Sequence, residues 1–195
     1  MSDPAPTFWE MTEEEYLRTE PESPVKREFF GGYVYPYPLV GSAEELVPHL
    51  RLLLNLALLL RPRNGEQRHM LHPFDRLIRG LLATGRPFYL YADLTATEEE
   101  ELGEPLVIEN PVLLIEVAHP VTYRQDRTTK LLSYTSLPSL QTYLIVDASK
   151  RFVRLIARTA DGWQETELAD EGRVPVPCLN TTLSLDDIYA GVLGG

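Results

Sequence analysis

Three residues in the middle of the chain, Asp93, Glu116 and Lys130, have the chemistry and spacing to act together on a phosphate ester. Glu116 interrupts an otherwise apolar run, NPVLLIEVA, where an isolated ionised carboxylate is costly; it must be protonated, paired or bound to a metal. Asp93 lies in a second strand-like run, YLYADLTAT. If the two strands are neighbours, the carboxylates converge, and their hard oxygen atoms suit Mg²⁺ or Mn²⁺. Such an ion positions a phosphodiester, lowers the pKa of an attacking water and neutralises charge in an in-line displacement. Lys130, in the segment after the Glu116 strand, would orient that water or stabilise the developing negative charge. The choice of lysine is itself informative, because the chain uses 15 Arg and only 3 Lys. A compact ammonium is not equivalent to a planar guanidinium.

Each residue also has a plainer reading. Lys130 stands four residues after Asp126, and an i,i+4 ion pair worth about 0.3 kcal/mol accounts for both without catalysis. Asp126 also suits a helix cap. Glu116 could be satisfied by Arg76 or Arg127, and Asp93 could be a strand-end acid in a polar turn. The combination favours a site: a buried acid, a second acid in a neighbouring strand and a helical lysine after them.

The elements that must position these groups can be read along the chain. Thr12 with Glu15 forms a capping box for a short helix in MTEEEYLRTE, which ends before Pro21. VKREFFGGYVYPYP reads as a hairpin around Gly31 and Gly32, with Glu28 just before the turn. From Ser42 to Leu60 apolar residues recur at helical spacing, predicting a core face of Leu46, Leu50, Leu53, Leu54, Ala57 and Leu58, with Pro48 in the early turns. MLHPFDRLIRGLL and RPFYLYADLTAT read as two strands joined by a Gly-bearing connection, the second carrying Asp93. NPVLLIEVA reads as a strand buried on both faces, followed by a helix from about Asp126 to Ser136. LQTYLIVD, RFVRLIAR and GWQETELA are further strands, and the strand, helix, strand order predicts a βαβ crossover inside a mixed sheet. A last short helix begins at Ser184, with Asp187 completing its cap.

Composition narrows the classes. A chain of 195 residues is long enough for one domain with a full core and too short for two ordinary ones. Its 44% hydrophobic and 24% charged residues are those of a globular protein. Cys178 is the only cysteine, so no intramolecular disulfide forms, and a reducing cytoplasm is expected. The N-terminus lacks the basic start and apolar core of a signal peptide, and LLLNLALLL is too short to span a bilayer. Neither secretion nor a membrane is expected. The net charge of −11 argues against broad attraction to nucleic acid, so a polyanionic substrate needs a local basic path or a metal. Arg61, Arg63 and Arg68 could contact phosphates, although a solvated connection is the simpler reading. Residues 98 to 104 place five acids in seven positions, a solvated loop that would repel a phosphate backbone if it lay at the mouth of a site. His49 could line a site or be a hydrogen-bonded core residue. His69 and His72, three apart on an expected strand, face opposite ways and share no metal. Trp9 and Trp163 read as packing or interface residues.

Residues 109–147, ENPVLLIEVAHPVTYRQDRTTKLLSYTSLPSLQTYLIVD, resemble the signature region of the bacterial putative restriction endonuclease family, long filed as a domain of unknown function, within the PD-(D/E)XK nuclease superfamily. EFFGGYVY resembles the family's N-terminal hairpin, HLRLLLNL its core helix and YLYADLTAT its PD strand, so the likeness runs from about Met11 to Leu193. It implies that Glu28 is the upstream acid, Asp93 the aspartate of PD and Glu116 the (D/E) glutamate, with the Val117 backbone also able to ligate metal. The usual lysine position, two after Glu116, holds Ala118; the resemblance implies a migrated lysine, which Lys130 in DRTTK matches. Ala92 replaces the proline before the aspartate, a residue that shapes backbone and not metal chemistry.

The expected fold is therefore one restriction-endonuclease-like α/β domain over residues 1–195, a central mixed sheet flanked by helices with an N-terminal hairpin. The expected function is Mg²⁺- or Mn²⁺-dependent hydrolysis of DNA phosphodiesters. Glu28, Asp93, Glu116 and Val117 would assemble the metal and Lys130 would assist the water. A homodimer or higher homo-oligomer is expected, since such nucleases often cut both strands as dimers. Two other functions stay open: a nuclease-fold protein with a regulatory or binding role, which the negative charge favours, and a metal-dependent hydrolase of a smaller substrate.

Overall fold

The computed structural model describes residues 8–37, 42–62, 69–73, 76–98, 106–118 and 126–193. Among them, the first six-stranded sheet comprises β1 (Trp9–Glu10), β2 (Arg27–Phe30), β3 (Tyr33–Pro36), β5 (Leu77–Leu81), β6 (Pro87–Tyr91) and β8 (Val107–Ile108), in the order β1-β3-β2-β6-β5-β8. The second comprises β4 (Met70–Pro73), β7 (Leu94–Thr97), β9 (Pro111–Ala118), β10 (Thr142–Asp147), β11 (Phe152–Thr159) and β12 (Gly162–Ala169), in the order β12-β11-β10-β9-β7-β4. β13 (Arg173–Val176) and β14 (Thr181–Ser184) form a separate hairpin. The helices are α1 (Glu13–Thr19), α2 (Ala43–Leu60), α3 (Leu131–Thr135) and α4 (Leu185–Ile188); a π-helical turn, Asp126–Lys130, runs directly into α3.

Local chemistry sets these elements. Thr12 caps α1 by accepting the Glu15 N–H at 3.2 Å, and Ser42 and Glu45 cap α2 reciprocally. Gly31 and Gly32 turn β2 into β3 with φ of 60° and 103°, a pair of values that side chains rarely adopt. β9 is buried along its whole length, with Leu113, Ile115 and Val117 in the core beneath α2 and Leu114 and Ala118 in a second core with Tyr134, Tyr143 and Ile145. β10 pairs with β9 in parallel, so the expected βαβ crossover is present. Ser184 caps α4 through the Asp187 N–H, as expected.

Four expectations change. The mixed sheet is divided into two, and each of the two strands read in residues 70–97 is divided between them. β4 pairs with β7 in the second sheet while β5 pairs with β6 in the first, so the predicted pair exists but bends from one sheet into the other. Of the predicted core face of α2, Leu53 is buried and Ala57 packs on the core, whereas Leu46, Leu50, Leu54 and Leu58 are exposed and Leu52, Leu56 and Leu60 take their place. LLLNLALLL carries leucine all round the helix, so periodicity alone does not select a face. The β13–β14 hairpin, short and interrupted by prolines, was not expected.

Candidate active site

The site forms where the chain passes from one sheet to the other. β6 ends at Tyr91, Ala92 and Asp93 cross, and β7 begins at Leu94. Outside both ladders, the Asp93 side chain turns to β9 and its Oδ2 accepts the Val117 N–H at 2.7 Å. The N–H and C=O of one strand residue point to the same neighbour, so the Val117 carbonyl lies on the Asp93 side of β9. Asp93 Oδ1 is 3.5 Å from His49 Nε2 on α2 and accepts the Tyr37 hydroxyl at 3.5 Å.

Glu116 precedes Val117, and its side chain rises from the face of β9 that α3 covers. Lys130 Nζ, at the junction of the π-helical turn and α3, donates to Glu116 Oε1 at 2.9 Å and to the Tyr91 carbonyl at 2.8 Å. It also lies 3.5 Å from Oε1 of Glu28 on β2, an oxygen that accepts the Tyr91 N–H at 3.1 Å. The Tyr134 hydroxyl is 3.2 Å from Glu116 Oε1 and 2.9 Å from the Tyr91 carbonyl, and with one proton it donates to one at a time. One lysine thus joins acids from both sheets.

All four groups are withdrawn from water: Glu28 is 1% exposed, Glu116 and Lys130 2%, Asp93 4%. Burial alone would depress the Lys130 pKa, but Glu116 and Glu28 more than reverse this and hold it well above the ordinary lysine value. At neutral pH Lys130 is therefore an ammonium, a donor and a positive charge rather than a base. Burial raises Tyr134 and Tyr37 well above an ordinary phenol, so both are neutral hydroxyls.

Three carboxylates against one ammonium leave a formal excess of two negative charges when all are ionised, which is what a divalent cation neutralises. The donors of Asp93, Glu116 and Val117 are hard oxygen atoms, the kind Mg²⁺ and Mn²⁺ take. Among the described residues no group of three or more His, Cys, Asp or Glu side chains is placed to hold an ion, and Glu28 sits with Lys130 and the Tyr91 amide. Asp93 and the Val117 backbone thus stand on one side of β9, and Glu116 and Glu28 share the Lys130 ammonium.

The remaining candidates are placed as follows. His49 lines the site against Asp93. His72 bonds Thr97 at 3.2 Å, away from the site. Trp163 donates to the Thr135 carbonyl at 3.1 Å and stacks under Arg158, which is packing. Trp9 is on β1, and Arg61 is exposed at the end of α2. Arg63, Arg68, the acids 99–104 and the side chains of Asp126 and Arg127 lie outside the described residues. The sequence reading missed Tyr37, Tyr91 and Tyr134. Tyr134 had a signal, since it follows Lys130 by one helical turn on the same face; Tyr91 acts through its backbone and had none.

The family model Uma2, described as "Putative restriction endonuclease", matches residues 13–186. An uncharacterised protein of Synechocystis is 29% identical over 165 residues, 83% of this chain and 89% of its own length. The crystal structure of a putative nuclease belonging to DUF820 from Anabaena variabilis superposes with a TM-score of 0.69 at 16% identity, covering 94% of this chain and 99% of that one. At that identity the likeness is one of fold. No helix among the described residues is long and apolar enough to cross a membrane.

Proposed function

The chain belongs to the Uma2 family, described as putative restriction endonucleases, and on that premise we propose that it is a Mg²⁺- or Mn²⁺-dependent endonuclease hydrolysing DNA phosphodiester bonds in the cytoplasm as a homo-oligomer. The observation that carries this reading is the buried Lys130 ammonium on Glu116, one residue along β9 from the amide that Asp93 holds. Asp93, Glu116 and the Val117 carbonyl would hold the ion, which when bound supplies Lewis acidity and a more acidic water. Lys130 presents a fixed positive charge to the phosphate oxygens or the attacking water. Glu28 keeps that ammonium charged and in place, and His49 and Tyr37 steady Asp93.

Incubation of the purified protein with supercoiled plasmid and either ion tests the reading. Wild type is expected to nick or linearise the plasmid, chelation to stop it, and Asp93→Ala and Lys130→Ala to lose at least about 100-fold in rate while retaining a folded circular-dichroism spectrum. Cleavage surviving both substitutions would sink the site assignment. The net charge of −11 favours a second reading, a nuclease-fold protein with a regulatory or binding role, for which absence of cleavage of any DNA with either ion would decide.

A further inference from the structure

We propose that the outer face of α2 is the interface between two copies of this chain, packed antiparallel about a two-fold axis at Leu52. The inner face of α2 is buried on the core, and its flank is tied to the C-terminal segment: Asn55 donates to the Ile188 and Ala190 carbonyls and Arg51 to Gly191. The outer face is a continuous apolar stripe left in water, with Leu46 41%, Val47 48%, Leu50 46%, Leu54 59% and Leu58 57% exposed. Together these present on the order of 400 Å², a size at which an exposed apolar patch marks an interaction site on a monomer.

The pattern of the stripe points to a second copy as its occupant. Val47, Leu50, Leu54 and Ala57 follow the alternating three-and-four spacing of a helix-pairing seam. The exposed stripe is also symmetric about Leu52: Leu50 and Leu54 flank it equally, as do Leu46 and Leu58, while Val47 is mirrored by Ala57, which is half-buried against the core. Antiparallel packing centred there sets Leu50 against Leu54 of the second copy and Leu46 against Leu58, an isologous contact in which one stripe complements itself. The same register brings exposed Glu44 in the acidic first turn beside exposed Arg61 at the other helix's C-terminal end, so charges and helix dipoles oppose favourably. Two stripes cover roughly 800 Å², the apolar half of a standard interface of about 1,600 Å².

This gives the proposed homo-oligomer a specific interface, and it stands or falls separately from the nuclease reading because its readout is mass. Light scattering behind gel filtration, from low to high micromolar protein, is expected to move wild type from the 22.2 kDa monomer to twice that mass. Leu50→Lys with Leu54→Lys, both at exposed positions, is expected to abolish the dimer without changing the thermal melt of the monomer. Glu44→Arg weakens it, and adding Arg61→Glu restores it. Wild type that stays monomeric overturns the proposal and leaves the stripe to another partner. A dimer that persists in the double lysine variant overturns it too, and failure of the charge swap to rescue overturns the antiparallel register.

Discussion

Lys130 is a charged group in a place where charge is costly, and its environment explains why it survives there. The Glu116 and Glu28 carboxylates and the Tyr91 carbonyl occupy its donors, so the ammonium is paired and hydrogen-bonded rather than merely buried. Removing it leaves two acids facing each other without compensation. Lys130→Met is therefore expected to lower the free energy of unfolding by about 3–5 kcal/mol, as urea titration will show. The sign of the pH dependence follows from the raised pKa. A group whose folded pKa lies above its unfolded value contributes fully below the unfolded value, about 10.4 for lysine, and loses that contribution as pH rises through the folded one. The wild-type advantage over Lys130→Met should then not shrink between about pH 7 and pH 9 and should fall only in stronger alkali. An advantage that fades below about pH 9 would mean that the ammonium is not held by its acids.

At the scale of elements, the site depends on α3 being seated over β5 and β9, and one glycine permits it. A Cβ at Gly80 on β5 would lie 2.3 Å from the Phe88 ring and 2.7 Å from Leu137, which follows α3. Both neighbours are buried, so neither side chain has room to move. Gly80→Ala is expected to cost about 1–3 kcal/mol by overpacking, and Phe88→Leu in the same chain to recover part of it, measured by denaturant unfolding. A neutral Gly80→Ala would show that this contact is not tight. The same elements show what a sequence carries and what it does not. β9 was legible because eight consecutive buried residues leave a continuous apolar signature, and Glu116 stood out against it. The α2 face was not, because leucines surround the helix and only the tertiary partner decides which of them are covered. The break at Asp93 was also hidden. It comes from β6 and β7 taking partners in different sheets, a property of pairing rather than of YLYADLTAT itself. Lys130 could be singled out by residue type, but its bond to the Tyr91 carbonyl has no side-chain signal.

For the molecule as a whole, a net charge of −11 means that the surface does not draw DNA in, and the proposed chemistry depends on a cation at the sheet junction. Binding of that ion to the folded chain alone would stabilise it by mass action, independently of any turnover. At an ion concentration 100 times its dissociation constant the gain is about 2.7 kcal/mol, which for a domain of this size corresponds to a rise in melting temperature of roughly 5–11 °C. Mg²⁺ or Mn²⁺ should therefore raise the wild-type Tm, and chelation should return it to the ion-free value. Asp93→Asn preserves the side-chain shape but removes a ligand charge, so its melting temperature should not respond. Glu28→Gln should keep the response, because Glu28 faces Lys130 and the Tyr91 amide. If Glu28→Gln loses the shift while the ion-free fold is intact, Glu28 is itself a ligand and the three-carboxylate set is restored. A wild-type melting temperature unmoved by either ion would remove the divalent cation from the proposal, and with it the physical means by which so acidic a chain could work on a phosphate backbone.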